Sequence, residues 1–186
     1  MTDAALSDLK VLEVAEGVAA PYCGKILSDL GAEVIKLEPP EGDRSRRVGP
    51  FPDDDPHPDR SGQFLYLSAG KRSVTVDLER DEDLDLVREL AGEADILLVD
   101  MPMSRVEALG LDYASLSPLN PRLIVTCVSP FGGVGPYRDY VGTAFTTYHS
   151  GGLGWGTPHN SVTDQESQPP LAPGCELADY VTGVVA

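Results

Sequence analysis

The feature that most constrains the fold of this chain is an alternation of short apolar runs and amphipathic segments. LKVLEVA (9–15) and AEVIKLE (32–38) have the length and the Val, Leu and Ile content of buried strands. Between them, PYCGKILSDLG (21–31) places apolar side chains at helical spacing, with a proline in its first turn and a glycine at its end. A strand, a helix and a strand in this order predict parallel strands joined by a right-handed crossover.

The same alternation continues along the chain. Further strands are predicted over 64–70, 73–79, 94–100 and 123–129. Further helices are predicted over 81–94, 104–110, 112–119 and 143–154, and from residue 176 onward. Together these segments predict an α/β fold with a doubly wound, mainly parallel, Rossmann-like sheet and flanking helices.

Two irregular stretches interrupt the pattern. Residues 39–62 form a long loop dense in Pro, Gly and Asp, and 155–174 form a mostly polar loop. A loop as long as 39–62 inside a compact domain is either mobile or part of a binding surface.

The composition limits the partners that the chain can bind. Thirty acidic residues against fourteen basic ones give a net charge of −16, which disfavours nucleic acid and anionic membranes. No apolar run approaches the about 18 residues that a membrane span needs, and the opening MTDAALSDLK lacks a secretory pattern. Three widely spaced cysteines show no metal-binding spacing, so we expect no metal site, reduced thiols and a cytoplasmic location.

Common nucleotide and hydrolase motifs are missing from the sequence. EVAEGVAAPYCG stands where a GxGxxG turn would follow the first strand, which argues against a dinucleotide site. Neither GxxxxGK[ST] nor GxSxG occurs, which argues against a P-loop and a nucleophile elbow.

Two groups of residues are candidates for chemistry. Asp179 lies in the apolar, turn-rich stretch GCELADYVTG, where it is either the N-cap of the terminal helix or a partly buried nucleophile. The two roles are compatible, because a helix N-terminus also stabilises an anion. Lys71 and Arg72, in the turn GKR, either keep the turn soluble or contact a phosphate. Arg44 and two neighbouring arginines of the long loop could contribute to the same phosphate contact.

Four blocks of the sequence carry a resemblance to a known family. LKVLEVAEGVAAPYCGKILSDLGAEVIKLEPPEGD and GKRSVTVDL resemble an opening block and an N-K-R-S-I-x-L-D-L block of that family. The stretch from ADILLVDMPMSRVEALG to SPFGGVGPYRD resembles a block ending in S-x-F-G-x-x-G-P-Y, and GCELADYVTG resembles G-x-x-L-A/G-D-x-x-x-G. In order and spacing, the blocks resemble the N-terminal part of a class III CoA-transferase of the CaiB/BaiF family. By this resemblance, residues 1–186 are the N-terminal part of the family's large domain.

The resemblance implies a reaction and a set of contacts. Asp179 occupies the position of the family's catalytic aspartate, which attacks an acyl-CoA thioester, forms a mixed anhydride and then an aspartyl-CoA thioester, and passes CoA to a carboxylic acid. Acyl-CoA and CoA are then substrates, and no permanently bound cofactor is implied. The positions that the resemblance assigns to CoA binding are Gly17, Val18, Ala19, Lys71, Arg72, Asp100, Met101 and Arg105.

The chain departs from the family pattern at several of these positions. Asp100 stands where asparagine is common, and Met101 where phenylalanine is common. The second arginine of that block is replaced by Ala108, with Arg105 one helical turn earlier. Related racemases use a histidine where this chain has Thr143, so a transferase is favoured over an acyl-CoA racemase or isomerase.

The resemblance also bears on what surrounds the chain. Family members are longer, add a second domain and form interlocked dimers. We therefore expect the chain to end within a helix that starts near residue 179, without the second domain, and to form a homodimer or pair with a homologous subunit. A fragment or partner subunit that binds CoA without catalysis is the alternative. The sequence identifies neither the acyl group nor the acceptor acid.

Overall fold

A computed structural model describes residues 4–154, 164, 166–167 and 171–186. Five strands form one sheet in which every neighbouring pair is parallel. The strands are β1 (Lys10–Val14), β2 (Glu33–Glu38), β3 (Arg72–Thr75), β4 (Ile96–Asp100) and β5 (Ile124–Val128). Their order across the sheet is β3-β2-β1-β4-β5. This order confirms the prediction of a parallel, Rossmann-like α/β fold.

Helices connect and flank the strands. They are α1 (Ala19–Asp29), α2 (Gly62–Leu67), α3 (Asp81–Glu93), α4 (Met103–Leu109), α5 (Tyr113–Leu116), α6 (Ala144–Ser150) and α7 (Leu177–Val185). The predicted 39–62 loop contains two short 3-10 turns, Arg44–Arg47 and Pro52–Asp54. The predicted polar loop over 155–174 lies largely outside the described residues.

The core lies on both faces of the sheet, because successive side chains of a strand point to opposite faces. On one face, Leu12, Val14, Leu97 and Val99 pack in a large cluster with residues of α3, α4 and α5. On the other face, side chains of β1, β2 and β4 pack against Cys23 of α1. The sheet is thus covered by helices on both sides, as its continuous apolar strands predict.

The predicted strand over 64–70 is wrong, since these residues include most of α2 and the turn that follows it. The Ser61 hydroxyl caps α2 by accepting a hydrogen bond from the Phe64 N–H at 3.1 Å. Phe64 and Leu67, one helical turn apart, are the buried residues of this helix. A four-residue apolar run such as FLYL fits a buried strand as well as a helix, so its pattern alone could not decide.

Candidate active site

The topology of the sheet points to one place for a ligand. The strand order reverses between β1 and β4, and ligands of such sheets bind outside the carboxyl ends of the strands at this switch point. Glu16 and Gly17 follow β1, and Asp100 ends β4. A cleft of about 340 Å³ opens here and is lined by Arg44, Asp100 and Asp179, with residues that follow β5 and residues of α6.

Asp179 lies in the first turn of α7. Glu176 is the N-cap of this helix, and its carbonyl oxygen accepts a hydrogen bond from the Asp179 N–H at 3.0 Å. The interpretation of Asp179 as the N-cap is therefore wrong, and its half-buried side chain lines the cleft. Burial raises the pKa of the Asp179 carboxyl and the Glu176 carboxylate raises it further, while Arg44 lowers it. Partial loss of water around a carboxylate is what a carboxylate nucleophile needs.

Gly183 sets the position of α7 against α1. A Cβ at Gly183 would lie 2.4 Å from the carbonyl oxygen of Ala19 and 3.0 Å from Cβ of Tyr22, so only glycine permits this approach. Tyr180 of α7 also packs edge-on against Tyr22, with ring centroids 5.0 Å apart. Because Gly183 lies one helical turn after Asp179, this contact places Asp179 beside the first turn of α1.

Arg44 supplies the positive charge of the cleft. Its backbone N–H donates to Oε2 of Glu16 at 3.0 Å, and its guanidinium donates to the Glu16 carbonyl oxygen at 3.3 Å. The guanidinium lies directly over Gly17, where a Cβ would be 2.4 Å from Nε. Gly17 also has a φ of 78°, a backbone conformation that favours glycine, and any side chain there would displace the guanidinium. Arg44 lines the same cleft as Asp100 and Asp179, and its charge lowers the pKa of both carboxyls.

Asp100 is the second acid of the cleft. Burial raises its pKa to about 6, and the charges of Asp179 and Glu16 act in the same direction. Arg44 and Lys36 oppose this shift without cancelling it. Asp100 therefore holds its proton to a higher pH than an exposed aspartate does.

A buried ion-pair network lies beneath the cleft. Nζ of Lys36 lies 3.0 Å from Oε1 of Glu13 and 2.6 Å from Oδ2 of Asp43. Nζ of Lys71 lies 2.7 Å from the other Glu13 oxygen. Oδ1 of Asp43 in turn accepts a hydrogen bond from the Gly17 N–H at 3.1 Å. The network thereby fixes the turn after β1 and the segment that carries the arginine of the cleft.

Sequence reasoning missed this network and the placement of Arg44 beside Asp179. A signal for the network was present, because Glu13 and Lys36 interrupt the apolar runs LKVLEVA and AEVIKLE. A charge in a strand that is buried on both faces needs a partner of opposite sign.

Five of the predicted CoA contacts lie at the switch point. Ala19 lines the cleft, and Asp100 and Met101 line a neighbouring cavity of about 210 Å³. Val18 is 1% exposed and precedes α1 as its N-cap. The Gly17 N–H already donates to an aspartate of the buried network. The structure thus brings these residues together around one site.

The remaining predicted contacts lie elsewhere. The side chain of Lys71 is 1% exposed, and its ammonium donates to the Pro21 carbonyl oxygen at 2.7 Å. Burial lowers the pKa of Lys71, which fits a structural ion pair and does not fit an exposed phosphate contact. Arg72 begins β3 at the opposite, amino edge of the sheet and pairs with Glu33. Arg105 does not line the cleft, but it pairs at the surface with Glu79, which lines the cavity of about 210 Å³.

The described part of the chain contains neither a metal-binding cluster nor a membrane-spanning helix. No group of three or more His, Cys, Asp or Glu side chains there has the geometry to hold a metal ion. No helix in the same residues has the length and apolar character that crossing a membrane requires.

A larger cavity of about 810 Å³ adjoins the cleft, and Ala144 and Glu176 line both spaces. Its wall is built from α2, α6, the first turn of α7 and the segments that precede α2 and α7. The site therefore combines a charged end at Asp179 with an adjoining space large enough for a small organic group.

Known proteins resemble this chain along most of its length. Succinate–glutarate CoA-transferase from Agrobacterium fabrum is 36% identical over 182 residues, which cover 96% of this chain and 44% of that protein. The subunit BbsE of succinyl-CoA:(R)-benzylsuccinate CoA-transferase from Thauera aromatica is 40% identical over 139 residues, covering 75% of this chain and 34% of that subunit.

The structural comparison agrees with the sequence comparison. The crystal structure of a CaiB/BaiF family protein from Brucella suis has a TM-score of 0.84 and 35% identity, covering 99% of this chain and 47% of that chain. The chain spans less than half the length of each of these proteins. The sequence model of CoA-transferase family III matches residues 6–186, and the chain belongs to this family.

Proposed function

We propose that this chain carries the nucleophile of an enzyme that moves CoA from an acyl-CoA thioester to a free carboxylic acid. The observation that carries this proposal is the half-buried carboxylate of Asp179, which shares a cleft at the switch point with Arg44. Membership of CoA-transferase family III supports the reaction class.

The first half of the reaction loads CoA onto the protein. A carboxylate oxygen of Asp179 attacks the thioester carbonyl carbon, and the C–S bond breaks. The CoA thiolate departs, and the acyl group stays on Asp179 as a mixed anhydride. The thiolate then attacks the Asp179 carbonyl carbon of that anhydride and releases the donor acid as its carboxylate. The products of this half are the free donor acid and an aspartyl-CoA thioester.

The second half repeats these steps with the acceptor acid. The acceptor carboxylate attacks the aspartyl carbonyl carbon and displaces the thiolate, which gives a new anhydride. The thiolate attacks the acceptor carbonyl carbon, so the new acyl-CoA forms and the Asp179 carboxylate is restored. Each step exchanges one acyl bond for another, and no oxidant or metal is required.

Arg44 reduces the electrostatic cost of bringing two acids together. The cleft is already lined by three acids, Asp100, Glu176 and Asp179, and the acceptor enters as a fourth. Like charges at contact distance repel, and a guanidinium presents several N–H donors that match carboxylate geometry. Arg44 therefore holds the entering carboxylate beside Asp179 and stabilises the negative charge that develops on the attacked carbonyl.

The cavity of about 210 Å³ that Asp100 and Met101 line suits the nucleoside part of CoA. Its lining combines apolar side chains with acids and contains no lysine, arginine or histidine among the described residues. Carboxylates such as Glu16 and Asp77 accept hydrogen bonds from ribose hydroxyls or an exocyclic amine, whereas they repel phosphates. We therefore assign the nucleoside here and the phosphates to another part of the surface.

The position that would distinguish a racemase supports the transferase. Thr143 is the N-cap of α6 and its hydroxyl accepts a hydrogen bond from the Thr146 N–H at 3.3 Å. A capping threonine has no titratable group that could exchange a proton with an α-carbon.

The assembly and location of the protein stay proposals of the same kind. We propose a homodimer or a complex with a homologous subunit, because the relative BbsE is named as a subunit of its CoA-transferase. A cytoplasmic location is proposed because its three cysteines are free.

The proposed function is tested by following CoA from an acyl-CoA to an isotope-labelled acid by mass spectrometry. Asp179→Asn is expected to abolish formation of the labelled thioester. Asp85→Asn, on an exposed side chain of α3, is the matched control and is expected to keep full activity. Transfer by a folded Asp179→Asn protein at the unsubstituted rate would refute the role of Asp179.

A further inference from the structure

The cavity of about 810 Å³ that adjoins the cleft is lined mainly by apolar groups. Several large apolar or aromatic residues that line it are partly exposed to solvent: Val48 (46%), Tyr66 (50%), Phe145 (55%) and Leu177 (39%). Exposed apolar side chains that converge on one concave space mark a ligand surface.

The aromatic part of this wall is held in place by packing. Tyr22 stacks on Tyr66 with ring centroids 6.4 Å apart and meets Tyr180 edge-on at 5.0 Å. Tyr66 and Tyr180 both line the cavity, while Tyr22 lies behind them. The wall is therefore preorganised, and a flat or branched apolar group can bind it at low entropic cost.

The described part of this wall carries no positive charge. The described residues that line the cavity include no lysine, arginine or histidine, and their one charged side chain is Glu176. The Glu176 carboxylate accepts a hydrogen bond from Nε2 of Gln63 at 2.7 Å. Lys25 contacts the Tyr66 ring but is paired with Asp29 at 2.5 Å and does not line the cavity. A second carboxylate on the substrate would thus find no partner here and would face a like charge.

The cleft and the cavity together define an orientation. The reacting carbonyl must lie at Asp179, beside Arg44, and the rest of the acid must extend through the space shared at Ala144 and Glu176. Among the described residues that line the two spaces, Arg44 is the one cation, and it lies at the reacting end.

From this arrangement we infer that the acid exchanged at Asp179 carries an apolar side chain, aromatic or branched aliphatic, and no second carboxylate. The inference rests on the proposed function and names the substrate class of the same site. It separates this chain from an enzyme whose two substrates are both dicarboxylates.

The test compares thioesters that share CoA and differ in the acyl group. The full chain is incubated with phenylacetyl-CoA, isovaleryl-CoA or succinyl-CoA, and the rate of covalent modification of Asp179 is read by intact mass after trapping with hydroxylamine. The two apolar thioesters are expected to react about tenfold faster than succinyl-CoA, or more, because a carboxylate without a partner is disfavoured in an apolar space.

A substitution that adds charge to the wall sharpens the test. Phe145→Lys and, as a second variant, Leu177→Lys place an ammonium in the cavity, and each is expected to raise the rate with succinyl-CoA and lower it with phenylacetyl-CoA. Val181→Lys is the matched control, since Val181 is 52% exposed on the same helix as Leu177 but does not line the cavity. Circular dichroism establishes that each variant is folded.

The outcomes separate the two proposals. Equal or faster reaction with succinyl-CoA would overturn the inference and leave the transferase in place. Failure of every thioester to modify Asp179 in a folded protein would overturn both. A change of preference in Val181→Lys equal to that in Phe145→Lys would also overturn the inference, because net charge would then explain it.

Discussion

Replacing Asp100 by asparagine should stabilise the protein at neutral pH and leave its stability unchanged in acid. Burial, with the charges of Asp179 and Glu16, raises the pKa of Asp100 from 3.8 to about 6. An acid whose folded pKa lies above its unfolded pKa binds protons more tightly in the native state, so the free energy of unfolding falls as pH rises between those values. The loss is complete above about pH 6.

The size of the effect follows from the shift. Each pH unit corresponds to about 1.4 kcal/mol, so the rise from 3.8 to about 6 sets an upper bound of about 3 kcal/mol. The side chain borders an open cleft, and water screens part of its interaction with neighbouring charges. We therefore expect Asp100→Asn to gain about 1–2 kcal/mol at pH 7 and nothing near pH 4.

Urea denaturation followed by circular dichroism between pH 4 and pH 8 measures this difference. The Asp85→Asn control removes the same charge from a side chain that is 74% exposed, and its effect should stay within about 0.5 kcal/mol at every pH. A difference between Asp100→Asn and the unsubstituted protein that does not grow between pH 4 and pH 6 would refute the reasoning.

Three more substitutions, two of them with a matched control, test the structure by urea denaturation. Lys36→Met leaves two buried carboxylates short of a cation and should cost about 3–5 kcal/mol, whereas Lys25→Met breaks a surface pair and should cost below about 1 kcal/mol. Gly183→Ala should cost about 1–3 kcal/mol because its Cβ meets the backbone of α1. Gly92→Ala, whose Cβ meets nothing, should stabilise by up to about 1 kcal/mol. Burial raises the pKa of Glu38, but hydrogen bonds from an arginine and a serine outweigh it and lower the pKa to about 2. Glu38→Gln should therefore cost about 3 kcal/mol at pH 7, and this cost should fade as pH falls from 4.5 to about 2.

The sheet was predictable because its signal is local. Runs such as LKVLEVA and AEVIKLE, separated by an amphipathic helix, specify parallel strands without knowledge of distant contacts. The 64–70 segment failed for a local reason as well. Its apolar run is too short to show a period, and the serine cap before it, at Ser61, was the signal that identifies the helix.

The site was predictable only in part, because its members come from distant parts of the chain. Asp179 could be singled out as an acid in an apolar stretch, but its neighbour Arg44 reaches the cleft through the path of a loop. The path of that loop depends on a buried aspartate, Asp43, and its lysine partner in β2. Lys71 shows the reverse case, since a basic residue in a turn looks exposed in sequence and is buried in the fold.

Asp179 is proposed to form a covalent bond with CoA or an acyl group. Incubation with acyl-CoA, trapping with borohydride or hydroxylamine, and peptide mapping by mass spectrometry test it most directly. We expect one modified residue, Asp179, and no modification in Asp179→Asn. A folded chain that is modified at another residue, or that remains unmodified with every thioester, would contradict it.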